Sequence, residues 1–325
     1  MRGPIALGTL ITVFVACLPL HASAADVIEP GDRIVVLGNT FAERMGHYGY
    51  LETMLQTARP EDGVSLRNMG WSGDELTLQP RPLNFGTMAE HLKANNTDVI
   101  IACFGMNESF QGADGLPSFE RDLAAYIDTH QSQQYNAESP PRLVLVSPIA
   151  HEDLGDPLPD PTAHNKDLAA YTAVMKKVAQ AKGVLFVDLY SPTKEQMGQP
   201  SSGPLTINGI HLNDEGYRFA SQHLALGLGL LPATAMPSSN WNLDAQSEAL
   251  RKSIVHKNRQ FFYRWRPVNT EYVYGRRKAP FGVESFPPEM KKQDDLIVEA
   301  EKSIWAMPKT DLHHMLIEGS SQEAP

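Results

Sequence analysis

The sequence has too little cysteine for a disulfide framework. Only two cysteines, Cys17 and Cys103, occur in 325 residues. Residues 1–24 have the parts of a secretory signal, because a basic residue precedes the apolar run 5–20 and small residues follow it before Ala25. Removing this signal leaves Cys103 alone. An exported chain of this kind forms no intrachain disulfide and depends on its core for stability.

Long hydrophobic runs are also absent after the signal. The run 5–20 is too short to indicate a membrane span, and no later run reaches about 18 apolar residues. Cleavage before Cys17 with lipidation of that cysteine is the alternative, although Phe14 stands where such sites usually have leucine. We therefore expect an exported protein with no transmembrane segment, located in the periplasm or outside the cell.

Basic residues are too few for a nucleic-acid partner. Without Arg2, the 28 basic residues fall to 27 against 38 acidic ones, a formal charge of −11. The charge is uneven, because nine Lys and Arg but only Glu271 among the acids lie in 251–278. This segment is either a basic tail on an acidic globule or a surface for an anionic ligand.

Metal-ligand spacing is missing as well. No set of His, Asp and Glu has the spacing of a metal site, so neither a metal nor another cofactor is expected. The run His151-Glu152-Asp153 is a local polar stretch within the Pro-rich loop 149–162, which could close over a substrate.

Strand and helix patterns alternate over about 200 residues. Buried strands are predicted at 33–37, 64–68, 98–104, 142–147 and 184–188, and helices at 43–58, 88–95, 118–130, 163–182 and 214–230. This alternation predicts an α/β protein with a five-stranded parallel sheet and helices on both faces. Right-handed crossovers bring the strand-to-helix loops to one edge, where a site is expected.

Four loops on that edge carry a recognisable set of residues. They contain Gly38-Asn39-Thr40, the stretch 68–75, Gly105-Met106-Asn107, and Asn208-Gly209-Ile210-His211. In order and content they resemble the four blocks of the SGNH (GDSL-like) hydrolases, over about residues 31–230. The resemblance implies a flavodoxin-like three-layer sandwich and an ester hydrolase.

The resemblance also implies roles for individual residues. Thr40 stands where the family has its nucleophilic serine, and His211 stands at the general base. Gly73 and Asn107 match the donors of the oxyanion hole, each typically contributing about 3–4 kcal/mol. Asn208 replaces the aspartate that orients the base.

Both replacements weaken the expected chemistry. The methyl group of Thr40 restricts its rotamer and crowds attack. Asn208 cannot stabilise imidazolium by charge, and it can hold the wrong tautomer of the ring; in the serine-protease triad this change lowers turnover about 10⁴-fold. Asn39 and Glu43 are auxiliary candidates, although Glu43 is also explained as a first-turn acid. Ser72 and Ser109 are alternative hydroxyls or simply loop residues.

Two classes of function follow. One is an exported ester hydrolase that acts on a small-molecule or glycan ester, with deacylation of carbohydrate implied by the resemblance. The other is an inactive relative that binds a glycan or a partner. Trp71 could stack on a sugar or pack against the sheet.

The C-terminal part is predicted as a helical extension. The signal 1–24 and the domain 26–231 are followed by a linker, 232–242, an extension rich in basic and aromatic residues, 243–309, and a mobile tail, 310–325. Helices should begin near 243 and 288. We expect them to pack on the core through five apolar side chains: Phe261, Phe262, Trp265, Ile297 and Ile304.

Overall fold

The computed structural model describes residues 27–83, 85–200, 203–237, 242–266 and 286–310. The predicted signal and almost all of the predicted tail lie outside these residues, as does segment 267–285 of the basic region. No helix in the described segments is long and apolar enough to span a membrane.

Five parallel strands form one sheet in the order β2-β1-β3-β4-β5. They are β1 Arg33–Gly38, β2 Ser65–Asn68, β3 Val99–Cys103, β4 Arg142–Val146 and β5 Leu185–Val187. The sequence prediction of the α/β class and of all five strands is confirmed. This order reverses direction between β1 and β3, which is where open parallel sheets carry their ligand sites.

Alternation along the strands separates two hydrophobic layers. Ile34 and Val36 face a cluster that includes residues of the first, second and seventh helices. Val35 and Leu37 face the opposite cluster, which includes residues of the fourth and fifth helices. Because both faces are covered, β1, β3, β4 and β5 are mainly apolar and form continuous runs in the sequence. The edge strand β2 is the exception, with the sequence Ser-Leu-Arg-Asn.

The helices are numbered in chain order. They are α1 Thr40–Tyr48, α2 Tyr50–Ala58, α3 Met88–Ala94, α4 Leu116–Gln131, α5 Thr162–Lys182, α6 Tyr190–Met197, α7 Asp214–Gly227, α8 Ala245–Trp265 and α9 Phe286–Ala306.

Two helical features differ from the prediction. The single helix predicted over 43–58 is wrong, because Gly49 adopts a left-handed conformation (φ 72°) that ends α1 and begins α2. A 3₁₀ helix, Glu108–Gly115, and the short α6 were not predicted. Both are only eight residues long, which is too short for a clear helical period.

The two C-terminal helices pack on the sheet domain, as predicted. Phe261, Trp265 and Ile297 are buried in one of the two core clusters. The indole N–H of Trp305 donates to the carbonyl of Val64 at 2.9 Å, beside β2. Ile304 instead fills a small cluster within the α8–α9 pair.

A buried ion pair adds to this attachment. Lys257 of α8 is fully buried, and its Nζ donates to the Glu52 carboxylate on α2 and to the carbonyl of Leu66, each at 2.6 Å. Removing one partner of such a pair costs about 3–5 kcal/mol. The extension is thus joined to the first half of the sheet by polar as well as apolar contacts.

Candidate active site

Thr40 lies at the start of α1, directly after β1. Asn39 caps this helix, because its side-chain oxygen accepts the N–H of Phe41 at 3.1 Å. Gly38 lies so close to β3 that a Cβ would come within 2.1 Å of the Cys103 carbonyl oxygen. The glycine therefore lets the chain turn from the strand into the helix and leaves Thr40 half-buried at the sheet edge.

His211 is presented by a narrow hairpin. Thr206 and Leu212 form an antiparallel bridge, and Gly209 at the turn has φ 93°. The buried Glu152 carboxylate accepts the backbone N–H groups of Leu205 and Thr206 at 2.9 and 2.7 Å. Its own N–H donates to the Gly209 carbonyl at 2.8 Å. Glu152 thus fixes the first strand and the turn of the hairpin.

The helix that follows ties this hairpin to Thr40. The hydroxyl of Tyr217 on α7 donates to the carbonyl of Phe41 at 2.9 Å, and its ring stacks on that of Tyr48 at 4.5 Å. Because α7 begins only three residues after His211, fixing Tyr217 against α1 also fixes the histidine near the nucleophile position.

Thr40, Asn39, Asn107 and His211 line the same small pocket at the carboxyl edge of the sheet. Its remaining wall is mainly apolar and includes Phe104, Met106 and Ile149. The free volume is about 30 Å³, room for one or two groups of the size of a water molecule.

Gly73 and Asn107 lie on neighbouring loops. The Asn107 amide donates one hydrogen bond, of 3.1 Å, to the carbonyl of Asp74 and so keeps its second N–H available. Gly73 (φ +87°) is exposed, precedes Asp74 and does not line the pocket. The loop is held at the sheet edge because the N–H of Trp71 donates to the carbonyl of Gly38 at 2.9 Å.

Comparison with known proteins identifies the family of the chain. The profile of the GDSL-like lipase/acylhydrolase family matches residues 31–219. The chain belongs to this family. None of the curated proteins compared with it matches significantly.

Two solved structures of low sequence identity are similar to part of this chain. An α/β hydrolase enzyme from the metagenome of Lake Arreo, Spain, is 17% identical; the alignment covers 63% of this chain and 99% of that one, with a TM-score of 0.49. The acetylxylan esterase Axe2 from Geobacillus stearothermophilus is also 17% identical, with coverages of 62% and 96% and a TM-score of 0.48.

In this GDSL-like chain the hydroxyl available at the pocket is that of Thr40. Within the part of the chain that the structure describes, Thr40 makes no side-chain hydrogen bond, either to His211 or elsewhere. Ser147 also lines the pocket, but its hydroxyl donates to the carbonyl of Pro148 and accepts the N–H groups of Leu189 and Tyr190 at 2.8 and 3.0 Å. Ser147 therefore has a structural role.

The two alternative serines are placed elsewhere. Ser109 is fully buried; its hydroxyl donates to the carbonyl of Met106 at 2.6 Å and lies 2.8 Å from Nε2 of His164. Ser72 is in the exposed loop, where its N–H donates to the Glu43 carboxylate at 2.5 Å. Neither serine lines the Thr40 pocket.

Asn208 contacts the imidazole of His211 on its Nδ1 side. Its oxygen accepts the His211 backbone N–H at 3.0 Å, and its nitrogen lies 2.9 Å from Nδ1, closer than the oxygen at 3.1 Å. Both contacts are within hydrogen-bond distance: the amide N–H can donate to Nδ1, which leaves the ring proton on Nε2, or a proton on Nδ1 can donate to the amide oxygen. The first tautomer, which has the shorter contact, cannot accept a proton from a hydroxyl at Nε2.

The surroundings of the His211 ring favour its neutral form. Burial first, and then the positive charge of Arg44, hold the pKa of His211 below its ordinary value. An aspartate at position 208 would oppose both effects, and the asparagine here does not. His211 is thus an unprotonated but weak base.

Glu43 has a structural partner on each side. Its carboxylate accepts the Ser72 N–H and pairs with Arg266 at 2.9 Å. Burial alone would raise the pKa of Glu43, but these hydrogen bonds and the Arg266 charge outweigh it and lower the pKa. Glu43 does not line the Thr40 pocket, so this auxiliary candidate positions the second loop.

Trp71 is occupied by protein groups. The guanidinium carbons of Arg81 and Arg266 lie 4.3 and 3.9 Å from its ring centroid, and Trp265 meets it edge-on at 6.2 Å. These contacts favour the packing interpretation of Trp71 over sugar stacking.

Sequence reasoning missed two carboxylates that shape the site. Glu152 was interpreted only as part of a local polar run. Glu108 is buried, and its carboxylate accepts the N–H groups of Gly105 and Leu76 at 2.8 and 2.9 Å, joining the second and third loops. The available signal was position alone, since Glu108 directly follows Asn107 and Glu152 lies in the loop after a predicted strand.

The loop 149–162 is attached at its first residues. His151 and Asn165 exchange backbone and side-chain hydrogen bonds of 3.0 and 2.7 Å, which link the loop to α5. Closure of the remainder over a substrate stays a prediction. No cluster of three metal-binding side chains occurs among the described residues.

Proposed function

We propose that this GDSL-like chain is an exported esterase that removes small acyl groups from carbohydrate, with Thr40 as nucleophile and His211 as base. The observation that supports it best is the shared pocket, since Thr40 has the only uncommitted hydroxyl among the described lining residues. Asn107 reaches the same pocket with a free amide N–H. The three requirements of acyl transfer thus converge at one place.

The proposed reaction has two halves. In the tautomer that carries its proton on Nδ1, His211 takes the hydroxyl proton at Nε2 as Oγ1 of Thr40 attacks the ester carbonyl carbon. The tetrahedral oxyanion accepts hydrogen bonds from the Asn107 amide and the Gly73 N–H. The alcohol leaves with the proton from His211, and water then attacks the acyl-threonine, releasing the acid and restoring Thr40.

The size of the pocket supports a small acyl group. Its free volume of about 30 Å³ accommodates the methyl group of an acetyl ester but not a long aliphatic chain. The sugar, as the alcohol, would then remain outside the pocket at the sheet edge. Export is proposed from residues 1–24 alone and is tested by sequencing the N-terminus of the protein recovered from the periplasm, which should be Ala25.

The mechanism is tested by labelling. A fluorophosphonate probe should attach to the peptide that contains Thr40, and the Thr40→Ala variant should not be labelled. Thr129→Ala, a matched change at an exposed threonine of α4, should retain the label. Labelling of any other hydroxyl would refute the assignment of Thr40.

A non-catalytic binding protein is the second candidate. The contact between the Asn208 amide nitrogen and Nδ1 favours it, because this tautomer leaves Nε2 without a lone pair for Thr40. A folded protein that neither takes the label nor hydrolyses 4-nitrophenyl acetate would support this candidate.

A further inference from the structure

A second and much larger cavity lies between α1 and α8. Its lining includes Glu43, His47, Asn258, Arg259, Phe262 and Tyr263. Its volume is about 460 Å³, within the range of sites that bind small molecules. The acyl pocket at Thr40 is about 30 Å³. The larger cavity can therefore hold a group that the acyl pocket cannot.

The cavity begins one helical turn beyond Thr40. Thr40, Glu43 and His47 have the spacing i, i+3 and i+7, which places them on one stripe of α1. At about 1.5 Å of rise per residue, Glu43 and His47 lie about 5 and 10 Å along the helix axis from Thr40. A ligand in this cavity can thus be continuous with a substrate whose ester is at Thr40.

One cation beside the cavity has no acidic partner among the residues that the structure describes. Six Lys and Arg residues occur in 245–266, and five pair with carboxylates within 4.0 Å: Arg251, Lys252, Lys257, Arg264 and Arg266. Arg259, the sixth, is exposed and forms no ion pair with any residue that the structure describes. Glu43 does not neutralise it, because Glu43 is paired with Arg266 at 2.9 Å.

The other lining groups fit a sugar ring. Phe262 and Tyr263 supply aromatic side chains, and Tyr263 is exposed. The side-chain oxygen of Asn258 has no hydrogen-bond partner in the described segments and can accept a hydroxyl. In contrast, Asn68 is already bonded to the carbonyl of Ala42 and the N–H of Gly70. Aromatic surface together with separate polar groups is suited to a polyhydroxylated ligand.

We infer that this cavity binds a carboxylated sugar residue, such as a uronic acid, of the glycan whose neighbouring residue is deacylated at Thr40. Arg259 binds the carboxylate, Asn258 accepts a ring hydroxyl, and Phe262 packs against the ring. The purpose of the site rests on the esterase function proposed above. Binding itself does not, because it is measured without turnover.

The test compares an acidic and a neutral trisaccharide. Trigalacturonate and cellotriose are titrated calorimetrically into the Thr40→Ala protein, which retains the cavity and cannot form an acyl-enzyme. We expect trigalacturonate to bind at least about ten-fold more tightly, because a charge-assisted hydrogen bond contributes that much or more. Raising the salt concentration should reduce the difference in affinity between the two sugars, because Arg259 is exposed and its charge is screened.

Two variants test whether Arg259 is responsible for the preference for the acidic sugar. Arg259→Gln should remove the preference for the acidic sugar. Lys252→Gln, a matched change on the same helix outside the cavity lining, should leave it intact; its side chain is 73% exposed. Unchanged melting curves show that both variants are folded.

The outcomes separate the two proposals. Equal affinity for the two sugars, no binding of either at millimolar concentration, or an unchanged preference in Arg259→Gln overturns the acidic-sugar site. If this happens while 4-nitrophenyl acetate is still hydrolysed, the esterase proposal stands alone. Specific binding without any esterase activity in the parent protein supports the site and removes the catalytic function.

Discussion

Replacing Asn208 by aspartate should increase esterase activity by restoring the tautomer that the base needs. One carboxylate oxygen can keep the hydrogen bonds that Asn208 now accepts from the N–H groups of Ile210 and His211, at 3.4 and 3.0 Å. The other oxygen replaces the amide nitrogen, 2.9 Å from Nδ1. The ring must then carry its proton on Nδ1, which leaves the Nε2 lone pair available to Thr40.

The magnitude follows from the charge and the distance. Two unit charges about 4 Å apart interact by about 1 kcal/mol in water and about 4 kcal/mol at the effective dielectric near a protein surface. His211 is half-buried, so stabilising its imidazolium should increase kcat by about 10- to 1000-fold. Adding Thr40→Ser removes the methyl group near the attacking oxygen, and the double variant should exceed either single one.

The assay is hydrolysis of 4-nitrophenyl acetate between pH 5 and 9 by variants purified in parallel. Because the pKa of His211 is now lowered by burial and by Arg44, Asn208→Asp should raise it and move the acidic limb of the rate profile to higher pH. His211→Ala should abolish activity in every background. The reasoning is refuted if folded Asn208→Asp is no faster than the parent, or if activity survives His211→Ala.

Four further outcomes are expected. Glu152→Gln should lower kcat and reduce stability by about 1–3 kcal/mol in urea unfolding, since a charged acceptor of two backbone N–H groups is lost; unchanged kcat would contradict its role in the hairpin. Lys257→Met should lower the free energy of unfolding by about 3–5 kcal/mol, because it leaves the buried Glu52 carboxylate unpaired. Adding Glu52→Gln removes that carboxylate and should recover most of the lost stability. An equal loss of stability in the single and the double variant would argue against this. Truncation after Leu231 should lower the melting temperature, because it removes the helices that pack on the sheet domain. Ending the chain at residue 310 keeps these helices and should leave the melting temperature unchanged. An unchanged melting temperature after the first truncation would show that the extension is an independent module. Burial lowers the pKa of His130 and His223 to about 4, so the unfolded chain binds more protons than the folded protein below pH 6.5. The melting temperature should therefore fall as the pH decreases from 6.5 towards 4, and it should fall less steeply in His223→Gln. A melting temperature that does not change with pH would refute this.

The sheet could be predicted because its determinants are local. Four of the five strands are mainly apolar runs, and residues such as Ile34 and Val35 are buried on opposite faces, so the pattern indicates buried strands. The exception is the edge strand β2. The loops that bear Thr40, Asn107 and His211 could be placed at one edge of the sheet without knowledge of any contact. Right-handed crossovers between parallel strands bring all of these loops to the same edge.

Other features depend on contacts that are distant in sequence. Glu152 is bonded to Thr206 across 54 residues, and Lys257 to Glu52 across 205. No local pattern identifies such partners. The break at Gly49 was missed for a different reason: Tyr50, Leu51 and Met54 continue the helical spacing, and only the left-handed conformation of the glycine separates the two helices.

Whether the protein is an enzyme or a binding protein depends on which nitrogen of the His211 imidazole carries the ring proton. The backbone groups that hold Asn208 orient its oxygen towards the His211 N–H, so the amide nitrogen faces Nδ1. The same oxygen lies 3.1 Å from Nδ1 and can accept a proton carried there, but the amide nitrogen at 2.9 Å then places a second donor against that proton. The tautomer that catalysis requires is therefore available in this hairpin, at the cost of this opposition between two donors. A substrate that occupies the pocket can compensate only if its transition state stabilises that tautomer by more than this cost. Small activated esters and natural sugar esters should then differ sharply in rate, because only the natural substrate would have additional binding energy for the rearrangement.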